Sequence, residues 1–387
     1  MQNSAKALRL ILLSSFLFFA HIALVLYISS AVLTKLVGST TATVLYTAGA
    51  MGSVILLFAI PRIVQQYGLV KTTLAIFILL ALSLFTMGTT KNPHAFVVIF
   101  VVYSALTSTV WYCNDMFVSH YAYEKTMGRI RGTYLTIINT AIALMPFLAG
   151  ILIVKEGFSS TFIGAGYLLL IAIGVIAVSQ RHFVDRVYKE PNIRTAWQSM
   201  KISPALRRVT ALSFLLQFFY AVMTIYSPLY LLHVMHFGWN TIGVIFSLML
   251  TAFIILQYPI GKWSDGIGEK KLLITGIAIA GISTIVFGTL GGHTYSVLIV
   301  IVILFCTRIG ASMLEVMTES YFFKQVTDKD EGVISIYRMM YPVAYIIAPL
   351  FGWLIVRQTS YMTLFIVLGI ILLMGALYSF RLVDIRK

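Results

Sequence analysis

Twelve apolar runs of about 20 residues, separated by short charged or Gly/Pro-containing segments, constrain the fold of this chain more than any other feature. About 20 apolar residues cross a bilayer as a helix. Of the 387 residues, 59% are hydrophobic and 11% are charged. The sequence therefore predicts an all-α integral membrane protein with 12 transmembrane helices. The predicted spans are 8–32, 42–61, 71–89, 95–118, 132–154, 158–180, 208–232, 239–261, 272–290, 295–321, 333–356 and 360–381.

The first run has the basic start and apolar stretch of a signal peptide. Its apolar part, from Leu8 to about Leu33, is too long for a signal peptide and suits a spanning helix. We therefore interpret it as a retained first transmembrane helix. The two cysteines, Cys113 and Cys306, fall within predicted spans, so no disulfide framework is expected.

The distribution of basic residues predicts the orientation in the membrane. Of the 28 Lys and Arg residues, 22 fall in segments on the same side as the N-terminus and only four in the six opposite loops. Cytoplasmic loops carry such an excess, so we expect both termini in the cytoplasm of a multi-pass protein of the cell (plasma or inner) membrane. This orientation accounts for the net charge of +15 without nucleic-acid binding. The basic clusters also lack the interleaved stacking aromatics of nucleic-acid-binding surfaces.

The longest polar stretch divides the predicted spans into two groups of six. We predict an N-terminal half (1–180), a cytoplasmic linker (181–207) and a C-terminal half (208–387). An offset of 200 pairs Gly68 with Gly268 and Asp115 with Glu315. Other pairs at this or a nearby offset are Gly132/Gly332, Tyr134/Tyr337 and Pro146/Pro349. These matches support a parallel 6+6 repeat, an arrangement in which transporters build a central site between two halves.

The loop after predicted span eight reads GKWSDGIGEKK. Gly261 and Gly268 suit tight backbone at a helix end, Asp265 suits a cap, and Lys270 and Lys271 suit the cytoplasmic surface. The stretch resembles the loop motif of the major facilitator superfamily, Gly-x-x-x-Asp-(basic)-x-Gly-(basic)-(basic). This resemblance implies the major facilitator fold and solute transport.

The sequence departs from that motif in both halves. Gly266 and Glu269 stand where basic residues are usual, and the first-half copy has Pro61 and Gln65 in place of the first Gly and the Asp. In span five, AIALMPFLAG (141–150) resembles the Gly/Pro motif of proton-coupled antiporters, although Ala141, Met145 and Ala149 replace three of its glycines. That segment implies antiport, or else it is simply a packing kink.

Polar residues follow one face of two predicted helices. Polar side chains inside membranes face the bundle interior or a water-filled path, so we predict a substrate pathway along both faces, with hydrogen bonding between helices as the alternative. In span seven the stripe is Ser213, Gln217, Tyr220, Thr224 and Ser227; in span four it is Ser108, Tyr112, Asp115 and Ser119, with Trp111 and Asn114 beside it. His21, in the middle of span one, is a further pathway candidate or a packing histidine.

Span ten contains three charges in the stretch TRIGASMLEVMTES (307–320). Arg308, Ser312, Glu315 and Glu319 have the spacing of one helix face, so they should face protein or water rather than lipid. Arg308 is predicted near mid-membrane, as a ligand for an anionic substrate group or a neighbour that tunes a coupling carboxylate.

The acidic residues are predicted to couple ions or form a gate. We expect Arg338 to pair with Glu315 or Glu319, and Arg129 or Arg131 to pair with Asp115. A structural ion-pair network near the cytoplasm is the alternative for these charges.

Together these patterns predict a secondary transporter that works by alternating access. Proton coupling through Asp115, Glu315 or Glu319 is the expected energy source, because no Gly-x-x-x-x-Gly-Lys-Ser/Thr phosphate loop is present. The 13% aromatics and 16 methionines favour efflux of amphipathic compounds over uptake of a sugar, metabolite or anion. A membrane enzyme or a receptor are the alternatives of another class. We expect a monomer surrounded by lipid, with no cofactor; His233 and His236 give little support for a metal.

Overall fold

The computed structural model describes residues 2–121, 127–180, 183, 185, 203–292, 295–326, 331–380 and 382. These residues form 13 α-helices and no strand. In chain order the helices are α1 (Gln2–Leu26), α2 (Ser29–Tyr67), α3 (Leu69–Thr89), α4 (Pro93–Tyr121), α5 (Met127–Glu156), α6 (Phe158–Ser179), α7 (Pro204–His233), α8 (Trp239–Ile267), α9 (Glu269–Thr289), α10 (Val297–Phe323), α11 (Glu331–Arg338), α12 (Met340–Gln358) and α13 (Tyr361–Phe380).

Twelve helical segments of the described chain are long and apolar enough to cross a membrane, which confirms the predicted fold class. The eleventh segment, Val333–Gln358, joins α11 to α12. The longest helix, α2, has 39 residues, about 58 Å at 1.5 Å per residue and too long for one crossing. Gly38 divides it, because its φ of 78° and ψ of 163° leave the helical region. In place of the predicted loop between spans one and two, the structure therefore has a helix interrupted by a single non-helical residue, Gly38.

Single glycines also connect the next helices in each half. Gly68 lies between α2 and α3 with φ 85° and ψ 154°, and Gly268 lies between α8 and α9 with φ 90° and ψ 149°. Only glycine adopts such angles without strain. The prediction of a loop at 262–271 was wrong, because the helices continue to both sides of Gly268. Gly261 lies inside α8, and Lys270 and Lys271 lie in the first turn of α9.

The helices form two compact units, Met1–Glu190 with Ile242–Ser247, and Pro191–Thr241 with Leu248–Lys387. In the first unit α1 packs against α5 and α6, α2 against α4, and α3 against α4 and α6. In the second unit α9 packs against α10 and α13, and α7 against α10, α12 and α13. The predicted halves, 1–180 and 208–387, stay a prediction.

Two glycines bring the backbones of α9 and α10 together. A Cβ placed on Gly310 would lie 2.5 Å from the carbonyl oxygen of Gly276 and would overlap the backbone nitrogen of Ala280. A Cβ on Gly276 would in turn lie 2.9 Å from the carbonyl oxygen of Gly310. Small residues at such crossings let membrane helices approach closely. This crossing fixes the part of α10 that directly follows Arg308.

We expect Gly310→Ala to lower the apparent melting temperature of the purified protein in detergent. The added methyl would collide with backbone rather than with a movable side chain, and overpacking of this kind costs about 1–3 kcal/mol. Gly174→Ala is the matched control, since a Cβ at Gly174 of α6 meets no atom within 4 Å. Equal melting temperatures for the two variants would contradict the close crossing.

Candidate functional site

Arg308 is a deeply buried charge in the second unit. It lies eleven residues after the start of α10 and fifteen before its end, or about 16 Å and 22 Å along the helix. Only 2% of its surface is exposed. A buried charge is costly unless it is paired or hydrogen-bonded, so its surroundings decide what it does.

Two aromatic rings of α7 cover the Arg308 guanidinium. Its Cζ lies 5.5 Å from the ring centre of Phe219 and 5.9 Å from that of Tyr220, both within cation–π range. Its Nε and Nη2 have no hydrogen-bond partner among the described residues. One turn further along α10, the buried Oγ of Ser312 also lacks a partner there. This face of α10 therefore presents several unused hydrogen-bond donors beside a positive charge.

Glu315 lies on the same face of α10 and binds two neighbouring helices. Its Oε2 accepts hydrogen bonds from the Tyr220 hydroxyl (3.3 Å) and from Nε2 of Gln257 on α8 (3.2 Å). Tyr220 thus contacts Arg308 with its ring and Glu315 with its hydroxyl. Since both donors bind Oε2, and no described residue donates to Oε1, Oε1 is the oxygen that can take up a proton.

Glu319 has a different environment from Glu315. Its Oε1 accepts a hydrogen bond of 2.8 Å from Nη1 of Arg338 at the end of α11. Arg338 also lies over the ring of Phe323, with Cζ 5.9 Å from the ring centre. The structure therefore pairs Arg338 with one of its two predicted carboxylates. The pair is largely exposed, and such pairs contribute little to stability.

The polar stripe of α7 divides into two parts. Gln217 and Tyr220 are half-buried, whereas Ser213, Thr224 and Ser227 are buried. The Ser227 hydroxyl donates to the Met223 carbonyl within its own helix, so its hydrogen bond is local. Tyr220 is the member of the stripe whose described contacts reach Arg308 and Glu315.

In the first unit, the predicted pathway residues His21 and Trp111 pack against different aromatic side chains. His21 is fully buried and packs against Phe18 and Tyr103, with ring centres 4.9 and 6.0 Å apart. Trp111 meets Phe19 edge-on at 4.3 Å, and Asn114 is buried.

Two further residues of predicted span four have different outcomes. Asp115 is half-buried, and its predicted partners, Arg129 and Arg131, have side chains outside the described residues. Ser108 donates a hydrogen bond of 3.1 Å to Ser53 on α2, so it joins two helices. For Ser108, the structure therefore shows the alternative to a pathway lining, namely hydrogen bonding between helices.

The helix that follows each single-glycine turn is held by a distant charged residue that the sequence did not reveal. In the first unit the Asp185 carboxylate accepts a hydrogen bond of 2.8 Å from the backbone nitrogen of Leu69. In the second unit Lys324, just after α10, forms an ion pair with the buried Glu269 at the start of α9. Glu269 departs from the loop motif, and this pairing gives the departure a structural role. The side chain of Asp265 lies outside the described residues.

Within the described part of the chain, no group of three or more His, Cys, Asp or Glu side chains could hold a metal ion. The site described above consists of the Arg308 guanidinium and the Glu315 carboxylate, with Tyr220 in contact with both.

Twelve membrane-length helices in the described part of the chain define a multi-pass integral membrane protein. The sequence model of the Major Facilitator Superfamily matches residues 10–256 and 240–387, so the chain belongs to this family. The family predicted from the loop motif is confirmed. No curated protein matches the sequence.

Solved transporter structures share the fold. An auto-inhibited peptide transporter of the POT family aligns with a TM-score of 0.78 at 12% identity, over 100% of this chain and 99% of that one. The POT family transporter PepTSo gives 0.78 at 12% identity over 97% of each chain. The nucleoside transporter NupG gives 0.75 at 12% identity, over 97% of this chain and 100% of that one. These TM-scores establish a shared fold, and an identity of 12% does not establish a shared substrate.

Proposed function

We propose that the protein is a proton-coupled secondary transporter for a small amphipathic solute, which it holds through an anionic group at Arg308. The observation that carries the proposal is the buried guanidinium with two unpartnered nitrogens, halfway along α10. Burying a charge in this way costs free energy. A negatively charged ligand would offset that cost by pairing with the guanidinium. A role in ligand binding therefore explains the buried arginine better than a role in stabilising the fold.

The proton site that we propose is Glu315. Its carboxylate lies on the same helix face as Arg308, and Tyr220 contacts both side chains. Among the described residues, no basic side chain lies within ion-pair distance of Glu315, in contrast with Glu319. A carboxylate without a fixed cation can exchange its proton without breaking an ion pair. Tyr220 and Gln257 hold the group in place through Oε2, which leaves Oε1 for the proton.

Alternating access between the two predicted halves is the mechanism that we propose, since it is how transporters with parallel repeats operate. The similar structures are named for peptide and nucleoside transport, which supports a small solute as cargo. We propose export by antiport, following the aromatic- and Met-rich composition. Uptake of an organic anion is the second candidate function, favoured by the unpartnered guanidinium.

The remaining parts of the proposal concern the cellular setting. We propose a monomer in the cell membrane with both termini in the cytoplasm, where the excess of Lys and Arg residues would be retained. Transport would proceed without enzymatic turnover and without a bound cofactor.

A proton-flux assay with the purified protein in liposomes tests the proposal. The vesicles carry an imposed pH gradient, and a pH-sensitive dye reports its collapse on addition of organic anions or lipophilic cations. We expect one or more organic anions to collapse the gradient in protein-containing vesicles and not in empty ones. Transport of a labelled solute that is indifferent to the gradient would remove proton coupling. A response to lipophilic cations alone would remove the anion site.

A further inference from the structure

We infer that the solute is a monocarboxylate with an apolar body, and that Arg308 binds its two oxygens side by side. This inference rests on the proposed transport function and specifies the substrate class of the same site. Three observations around Arg308 support it. They are the two guanidinium nitrogens without a hydrogen-bond partner, the aromatic rings beside the guanidinium, and the net charge of the neighbouring side chains.

The two unused nitrogens of Arg308 belong to one edge of the guanidinium. The N–H of Nε and one N–H of Nη2 point the same way in the plane of the group, and both nitrogens lack a described partner. Such a fork matches the two oxygens of a carboxylate and gives two parallel hydrogen bonds. A single carbonyl or hydroxyl oxygen would leave one of the two N–H groups unsatisfied. The buried Ser312 hydroxyl, also without a described partner, offers a third donor on the same helix face.

Two aromatic rings lie beside the guanidinium, and its two unpartnered nitrogens are themselves buried. The rings of Phe219 and Tyr220 lie within 6 Å of Cζ, at 5.5 and 5.9 Å. A carboxylate that uses the unpartnered Nε and Nη2 would therefore lie next to these rings. The aromatic side chains that cover the arginine also provide apolar surface for the rest of the ligand. This combination suits a carboxylate attached to a hydrocarbon or aryl group.

The charge of the site favours a monoanion over a phosphate. Arg308 contributes one positive charge, and the nearest charged neighbour that shares a contact with it through Tyr220 is the acidic Glu315. A phosphate monoester carries about 1.5 to 2 negative charges at pH 7. It would exceed the positive charge that the described residues of the site supply, whereas one carboxylate matches it.

A thermal-shift series on the full-length protein in detergent tests this substrate class. The probes are straight-chain and aryl-substituted monocarboxylates of two to ten carbons, the primary amide of each, and the corresponding alkyl and aryl phosphates. We expect one or more carboxylates to raise the melting temperature, while the matched amides and phosphates do not. Arg308→Lys keeps the charge but loses the planar fork, and should weaken carboxylate binding about tenfold or more.

Each outcome decides between the substrate class and the underlying function. Stabilisation by phosphates and not by carboxylates, lost in Arg308→Lys, would overturn the monocarboxylate and leave an anion transporter standing. Failure of every carboxylate and phosphate would overturn both. Carboxylate binding that is equal in wild type and Arg308→Lys would show that the fork is not the site. Ser312→Ala removes one hydroxyl that has no described partner, and should weaken carboxylate binding less than Arg308→Lys does.

Discussion

Replacing Arg308 with methionine should abolish binding of the anionic solute and, at the same time, raise the melting temperature of the ligand-free protein. Loss of two charge-assisted hydrogen bonds, each contributing about 1.5–3 kcal/mol, weakens binding at least about 100-fold. Methionine fills a similar volume between Phe219 and Tyr220 without a charge to desolvate. Replacing buried charges with apolar side chains is often neutral or stabilising. Binding is measured by isothermal calorimetry and stability by thermal unfolding.

The opposite change in stability would identify Arg308 as a structural residue. If the cation–π contacts with α7 are its main purpose, Arg308→Met lowers the melting temperature, and ligand binding falls only as much as folding does. Arg357→Met is the matched control. Arg357 is an exposed arginine that also lies over an aromatic ring, Trp353, with Cζ 5.0 Å from the ring centre. This control should leave solute binding unchanged.

Replacing Glu315 with glutamine should abolish accumulation of the solute against its gradient. The glutamine side chain has the same shape, and its carbonyl oxygen can still accept from Tyr220 and Gln257. It cannot exchange a proton, so an imposed pH gradient no longer drives transport. Exchange of labelled for unlabelled solute across the vesicle membrane should continue, because it needs no net proton movement. Both quantities are measured on the same proteoliposomes.

Glu319→Gln is the matched control for the coupling residue. Glu319 lies one turn further along α10 and is paired with Arg338 near the C-terminal end of that helix. We expect Glu319→Gln to retain proton-driven accumulation. If Glu319→Gln loses accumulation and Glu315→Gln keeps it, the proton site must be moved to Glu319, and the Arg338 pair becomes part of coupling.

The predictions that succeeded depend on periodicity and length. Apolar runs of membrane length gave the 12 spans, because a helix in lipid must satisfy its backbone internally and has few other solutions. The helical spacing of Arg308, Glu315 and Glu319 predicted one helix face turned toward protein or water; Arg308 is buried, whereas the Glu319 side chain is 36% exposed.

The features that the sequence did not reveal depend on contacts between distant residues. Lys324 and Glu269 are 55 residues apart, and no local pattern connects them. The unpartnered Nε and Nη2 of Arg308 likewise become visible only when the side chains packed around them are known. Gly261 was predicted at the end of span eight, but the helix continues past it to Ile267, because glycine is tolerated inside a helix as well as at its end.

The single-glycine turns at Gly68 and Gly268 also determine where the chain can be engineered. Because α2 and α3, like α8 and α9, are helical up to the glycine on both sides, an inserted tag or protease site would have no slack to use. It would have to unwind a helix end that Asp185 or Lys324 holds. The connection between α7 and α8, residues 234–238, is longer and non-helical. Reporter groups for mapping membrane sidedness therefore belong there rather than in the glycine turns.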